Sequence, residues 1–480
     1  MTFDYKLTWH EHIKQLKSDC IKRMNIMKVL ANNTWGADEK TLLTIYRTLI
    51  RSKLDYGSII YATASKTLLK SLNVVQNTAL RIATGAFITS PSQSLCKETG
   101  EIPLFLRRQM LQMTYAARIS ADEQNPLQSQ IYGQKYRELY NKQPKLRSPF
   151  YHQVNLISDS NFPDTLSLKP PKYPPWTSRK IDINITLTSY KKNETVPAEF
   201  QQKFLEIISE LNYNEIIYTD ASKSTGRVGC AYLTNRGPKK FKLPSDCSIF
   251  TAELIAILQA LEYVKKTKIT HSIICTDSLS AIQAILEIYS KNPIVNNIKD
   301  LFTSIDQEHN ICRLIWVPSH CGIAGNEEAD RAAKEASFDG QEIAIMTTYD
   351  LSNKYKTYIR NKWENIWQNQ RSKLALIDPS TTYVSPSVTI TKRRDLVIFR
   401  RLRIGHTRVT HNHLLVKEDV PRCATCDADI TVQHILIDCQ LYLPQRNHFN
   451  VSESMKEALR INSPLSLNTL DFIKNINVKI

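Results

Sequence analysis

Nowhere in the 480 residues do two aspartates stand side by side. A polymerase of the reverse-transcriptase kind needs an aromatic-x-Asp-Asp turn, so polymerisation of that kind by this chain alone is not expected. The N-terminus lacks the apolar region of a secretory signal, and no uninterrupted apolar run approaches the roughly 20 residues that cross a bilayer. No membrane partner is expected. The 10 cysteines follow no paired framework, which argues for a reducing, intracellular setting rather than a disulfide-built secreted domain. Lys392-Arg393-Arg394 is too short a basic run to separate nucleus from cytoplasm. No internal repeat is present.

What is there suits several folded domains. The chain is 42% hydrophobic and 23% charged, and its length predicts two to four domains. Lys and Arg number 63 against 46 Asp and Glu, a net charge of +17. That excess is not spread evenly. From Leu211 to Gly340 there are 14 basic and 15 acidic residues, so the surplus falls on the flanks, which become the expected grip on a nucleic-acid backbone.

Five segments follow from pattern. Residues 1–142 read as helical, with a run starting at Asp38 or Glu39 and a second from Ser65 that places Leu68, Leu72, Val75, Ala79 and Ile82 on one face. Residues 143–210 read as a linker because Pro144, Pro149, Pro163, Pro170, Pro171, Pro174 and Pro175 accumulate there, and Asp182 to Thr188 is a candidate strand leading out of it. Residues 211–340 alternate strand and helix. Residues 341–445 are helical and basic, with Leu351, Tyr355, Ile359, Trp363 and Ile366 as one stripe, and 446–480 form a tail.

The segment 211–340 carries the chemistry. Ile216 to Thr219, Val228 to Thr234 and Phe241 to Leu243 read as a meander, Ser272 to Thr276 and Ile311 to Val317 as two further strands. Leu254, Ile257, Leu258, Leu261 and Val264 recur at helical spacing, and Ser278 is placed to cap a helix. Helices are also expected over Asn292 to Ile305 and Asn326 to Ser337, with Asn326 and Glu327 as cap residues of the last one. The result is a mixed five-stranded sheet with helices on its faces. Asp220 ends the first strand, Glu253 lies near the start of a helix, Asp277 follows a strand and Asp330 sits on the last helix. Any one of these alone is an ordinary turn or cap residue. Together they offer oxygen ligands for two Mg²⁺ or Mn²⁺ ions, the arrangement that assists attack of water on a phosphodiester. His320, on a Ser-His-Cys-Gly loop, is placed to move protons or assist product departure. Cys275 and Cys321 read as a small buried residue and a loop residue.

Tyr218-Thr219-Asp220-Ala221-Ser222 with Gly226 and Gly229, Ala252-Glu253-Leu254, Thr276-Asp277-Ser278, Trp316-Val317-Pro318-Ser319-His320 and Gly325-Asn326-Glu327-Glu328-Ala329-Asp330 resemble ribonuclease H type 1. The resemblance implies cleavage of the RNA strand of an RNA/DNA hybrid, with Asp220, Glu253, Asp277 and Asp330 as metal ligands and His320 as auxiliary histidine. Related plans differ. A proofreading exonuclease places a second acid two positions after the first Asp, where Ser222 stands, and a transposase core orders its acids Asp, Asp, Glu.

Arg400, Arg401, Arg403 and Arg408 form a basic run beside His406, His411 and His413, and read as phosphate-binding. Cys423-x2-Cys426-x7-His434-x4-Cys439 follows, a donor set and spacing for one tetrahedral Zn²⁺, with His411 and His413 as alternative imidazoles. These segments, with Leu7 to Ile13, Ser52 to Gly57 and Gln76 to Arg81, are similar to the part of a non-LTR (LINE-type) retrotransposon polyprotein that follows the polymerase palm. The resemblance implies a thumb remnant, a ribonuclease H and a zinc-binding tail, with RNA/DNA hybrid and a full-length reverse transcriptase as partners. The alternative is a non-catalytic nucleic-acid-binding fragment.

Overall fold

In the computed structural model the described residues are all but 33–34, 130–136, 144–148, 159–164, 168–171, 173–180, 345, 387–388 and 479. The linker reading therefore falls mostly outside them. Within its limits the described residues hold a helix, Phe150–Ser158, which starts directly after Pro149. The chain divides into two units, Met113–Lys135 with Asn155–Tyr355, and Met1–Gln112 with Tyr136–Val154 and Lys356–Ile480.

Between Glu215 and Leu243 the β-prone sequence is interrupted only at Thr225-Gly226 and Asn235-Arg236, and there the chain turns back. These strands belong to a seven-stranded sheet: β1 (Ile183–Asn184), β2 (Glu215–Ser224), β3 (Arg227–Thr234), β4 (Gly237–Leu243), β5 (His271–Thr276), β6 (Ile311–Trp316) and β7 (Gln341–Glu342). Their order is β1-β6-β5-β2-β3-β4-β7, with β2-β3-β4 antiparallel and the other pairs parallel. Five strands were expected in the sheet, besides the candidate strand leading into it; the two edge strands are of two residues each, and Gln341–Glu342 is too short to carry a period of its own. Only Ile183–Asn184 of the expected 182–188 strand pairs, opposite Leu314 and Ile315.

Five helices cover this sheet: α1 (Pro197–Ser209), α2 (Ile249–Thr267), α3 (Leu279–Leu286), α4 (Pro293–Gln307) and α5 (Ala324–Asp339). Their starts are encoded locally. Pro197 opens α1, while the side chains of Ser248, Ser278 and Asn292 accept from Thr251 N, Ala281 N and Ile294 N. α2 and α4 pack Leu254, Leu258, Leu261, Ile294 and Ile298 against Ile217, Val228 and Ile274. On the other face, Phe204 and Ile208 of α1 meet Ile273, Cys275 and Ile315. Each such buried side chain contributes roughly 1.5–3 kcal/mol. α5 lies so close to β3 that a Cβ on Gly229 would come within 2.4 Å of Ser337 N.

The unit reaches past Gly340. Asp350, fully buried, accepts from Ser248 N (2.9 Å), Thr251 Oγ1 (2.8 Å) and Thr347 Oγ1 (2.6 Å), and so holds the start of the helix that bears Glu253.

The other unit is helical. Asp38 caps Glu39–Ile45, which runs into a π-helical turn at Tyr46–Arg51, and Ser65 caps Lys66–Thr84. Both ends of the chain contribute to it. From the C-terminal part, α6 (Arg393–Ile404) places Leu396, Phe399 and Leu402 in one core with Val432, Ile435, Leu436, Leu470, Phe472 and Ile473. Residues beyond 446 are thus part of that core rather than a separate tail. The stripe expected after Gly340 is buried at Leu351, Tyr355, Ile359 and Trp363, with Trp367 rather than Ile366 as its last buried member.

Candidate active site

Strand register brings the first two carboxylates together. Thr219 of β2 pairs with Thr276 of β5, so Asp220 and Asp277 are the residues that immediately follow on neighbouring strands. Asp220 was expected at the end of its strand. It lies inside β2 instead, because antiparallel pairing with β3 continues to Ser224 after β5 has ended. The indole N–H of Trp316 donates to Asp277 O at 3.0 Å and fixes the chain there. α2 supplies Glu253, and one oxygen from each of Asp220, Glu253 and Asp277 lies within 4.8 Å of the others.

Among the described residues no Lys or Arg forms an ion pair with this trio, although Lys334 draws Asp220 down, and His320 and Lys192 draw Asp277 down, in part. Asp220 Oδ1 accepts from Ala221 N at 2.7 Å, while Glu253 Oε2 is buried without a hydrogen-bond partner. Burial, then the neighbouring Asp277, pushes the Asp220 carboxyl up to about 8. Burial, then Asp220 and Asp277, holds Glu253 well above the usual carboxylate range. Asp277 is raised by burial, which His320 partly offsets. Packed acids with an orphaned oxygen and no protein cation among them form a site that fits hard divalent cations.

Asp330 is placed by α5 near this trio, close enough to raise both Asp220 and Asp277. Its own Oδ2 accepts from Lys334 Nζ at 2.6 Å. Ligand atoms of Asp330, Glu327 and His320 form a second group within 4.8 Å of one another. His320 is exposed and sits in a left-handed turn, φ 51°, with Nδ1 3.7 Å from Glu327 Oε2. Glu327 also accepts from Gly322 N at 3.3 Å, but Gly322 precedes the N-cap residue Ile323, and the helix start has no side-chain cap. Asn326 is not a cap: its Oδ1 is buried and unpartnered. Glu327 and Lys334 are the neighbours that sequence reading passed over as site residues. The i, i+4 spacing of Asp330 and Lys334 was the available signal. Cys275 is fully buried, and Cys321 is a loop residue that is buried as well.

In the other unit Cys423, Cys426, His434 and Cys439 also come within 4.8 Å of one another. Cys439 Sγ lies 3.7 Å from Cys423 Sγ and 3.9 Å from Cys426 Sγ. Thiolates about 2.3 Å from one tetrahedral zinc stand about 3.8 Å apart, so the cluster has the required span. His434 Nε2 is buried without a hydrogen-bond partner. The His434 imidazole, then the amides of Cys426 and Thr425, hold the Cys423 thiol down at about 6. His411 and His413 do not join this group; His411 stacks on His406 at 3.7 Å.

The arginine run has a different role from the one expected. Arg400 is fully buried, donating to both oxygens of Glu39 (2.6 and 3.0 Å) and to Glu98. Arg403, also buried, pairs with Glu98 (3.0 Å) and Asp378 (2.8 Å) and donates to Leu459 O. Arg401 donates to Gly85 O and Ile480 O, both at 2.8 Å. Arg400 and Arg403 are buried internal braces rather than the phosphate contacts expected, whereas Arg401 is half-buried with two of its donors on backbone carbonyls. Arg408 alone of the four is exposed.

The model of the RNase H family matches residues 212–338. The Pol polyprotein of Equine infectious anemia virus (isolate 1369) is 33% identical over 137 residues, 27% of this chain and 11% of that one. The chain thus spans about a ninth of the viral polyproteins it matches. Ribonuclease H1 of Mus musculus is 26% identical over 174 residues, 32% of this chain and 60% of that protein. Ribonuclease H of Blochmanniella floridana is 30% identical over 165 residues, 29% of this chain and 97% of that protein. Bearing the carboxylate trio within the matched residues, the chain belongs to the ribonuclease H family.

Proposed function

We propose that the chain hydrolyses the RNA strand of RNA/DNA hybrids with two divalent cations, Mg²⁺ or Mn²⁺, held by Asp220, Glu253, Asp277 and Asp330. The observation that carries this reading is the uncompensated trio, with Glu253 Oε2 buried and unpartnered. Bound cations supply activation of the attacking water and stabilisation of the leaving oxygen. The chain's own residues do the positioning. Asp220 is held beside Glu253 and Asp277 by strand register, without a flexible loop. Lys334 orients the Asp330 carboxylate from one side. His320, exposed beside Glu327, is available to take or give a proton at its imidazole as the product strand leaves. Hydrolysis breaks one P–O bond of the RNA strand and adds one water across it, so no co-reactant is required.

The finer reading is that residues flanking the nuclease derive from a LINE-type polyprotein without its polymerase palm, and that Cys423, Cys426, His434 and Cys439 hold one structural Zn²⁺. The sulfur spacing and the orphaned His434 Nε2 support the zinc site. A full-length reverse transcriptase as partner follows from the polyprotein reading alone.

The test is strand-resolved cleavage of a labelled hybrid by the purified chain with Mg²⁺, beside a chelator control and Asp220→Asn. Cuts in the RNA strand that vanish in both controls are expected. Folded protein that binds hybrid and leaves both strands whole, in Mg²⁺ and in Mn²⁺, would replace this reading with that of a binding fragment.

A further inference from the structure

The helical unit has a feature that neither the carboxylates nor the arginine braces use. After helix His10–Leu30 the chain turns tightly, with Gly36 N donating to Asn32 O at 3.0 Å and Ala37 N to Leu30 O at 2.8 Å. A Cβ on Gly36 would stand 2.2 Å from Asn32 O, so the turn requires glycine. This turn presents Trp35, 67% exposed, at one wall of a cleft of about 670 Å³. Lys392, Arg393 and Arg394 line the same cleft.

The cleft's charges are unevenly committed. Arg393 is 7% exposed and donates to the carbonyls of Ala83 and Ile82, yet its Nε is buried without a partner. Lys392 and Arg394 are exposed, and among the described residues neither has an ion-pair partner. Lys392 precedes α6, whose first amides have no side-chain cap. The acid in the lining, Asp38, is engaged in capping its own helix, accepting from Thr41 N (2.7 Å) and Thr41 Oγ1 (3.1 Å). An exposed indole and two cations without ion-pair partners thus line one cleft of the size that holds a nucleotide.

We propose that this cleft binds single-stranded nucleic acid, with one base stacked on Trp35 and the neighbouring phosphates held by Lys392 and Arg394. A single strand is favoured over a duplex because only an unpaired base offers its face to an indole. The cations fit the backbone on either side of that base. The site lies in the unit that does not contain Asp220, and its occupation does not depend on hydrolysis.

Fluorescence anisotropy of a labelled single-stranded DNA of about 12 nucleotides, added to the full chain without Mg²⁺ or Mn²⁺ and without chelator, tests this. Trp35→Ala is expected to weaken binding about tenfold, and Trp35→Phe to restore most of it, since stacking tolerates any aromatic face. Lys392→Glu with Arg394→Glu is expected to weaken binding further at low salt. It should also flatten the salt dependence by about 1.4 in log–log slope, two phosphates at about 0.7 each. All three positions tolerate change with the melting midpoint retained, because Trp35, Lys392 and Arg394 are exposed. Affinity and slope unchanged in every variant would overturn the assignment. So would anionic lipid vesicles bound as tightly as the strand with the same dependence on Trp35, which would make the cleft a membrane contact.

Discussion

Two clusters of buried charge stand in this molecule, one in each unit, and they are built on opposite plans. In the helical unit, Arg400 and Arg403 meet Glu39, Glu98 and Asp378 with nearly every donor matched. In the nuclease unit, Asp220, Glu253 and Asp277 crowd together with no cation of the protein among them. Burying charge is costly in either case. Where the protein balances the charge itself, the cluster braces the fold. Where the balance is left open, the site waits for a partner from solution, and chemistry becomes possible. Cys423, Cys426, His434 and Cys439 follow the second plan, with Nε2 of His434 orphaned as Oε2 of Glu253 is.

Breaking the open cluster gives the largest expected effect. Asp220→Asn should reduce hybrid cleavage by about a thousandfold or more, since cation-assisted charge stabilisation is worth several kcal/mol at 1.36 kcal/mol per decade. The same variant, free of metal, should melt no lower than the wild type by calorimetry, because it removes one of three crowded acids. Arg400→Ala is expected to do the reverse. It leaves Glu39 and Glu98 buried without their partner and should destabilise the helical unit by about 3–5 kcal/mol, measured by urea unfolding.

Acid sharpens the contrast. Burial alone would raise Glu98, but Arg403 and Arg400 outweigh it and hold the carboxyl down at about 2, against 4.5 ordinarily. The folded chain therefore binds fewer protons than the unfolded one between those values. The stability that Glu98 contributes is complete above about pH 4.5 and is lost as pH falls toward 2. Glu98→Gln should flatten that part of the helical unit's acid-unfolding curve. Removal of zinc by a strong chelator should lower the same unit's midpoint, with one zinc released per chain by metal analysis. Lys334→Ala is the mildest change, below about 1 kcal/mol in stability, because the ammonium is largely exposed.

The open cluster was legible in the sequence and the closed one was not, for a physical reason. Asp220, Glu253 and Asp277 each follow a local pattern, a strand, a helix stripe and a strand end, and the sheet register then brings them together. The three cysteines and the histidine of the other open cluster lie within 17 residues, Cys423 to Cys439, and their spacing alone marks them as a group. Arg400 finds Glu39 and Glu98 across 361 and 302 residues. Nothing near Arg400 in sequence announces those acids, so its run reads as a solvated or phosphate-binding face. The edge strand Gln341–Glu342 escaped for a related reason: a two-residue pair gains its geometry from β4 rather than from any pattern within itself, and of the strand expected over 182–188 only Ile183–Asn184 pairs, on β6. Asp350 lies beyond the nuclease boundary drawn at Gly340, yet three hydrogen bonds tie it to the start of α2 and to Thr347.

The most direct test of the open-cluster account is calorimetric titration of Mn²⁺ into the full chain, wild type beside Asp220→Asn and Arg408→Ala. The account predicts saturable binding by the wild type and by Arg408→Ala, and its loss in Asp220→Asn. Equal binding by all three would contradict it, since the ions would then be held somewhere other than the carboxylate trio.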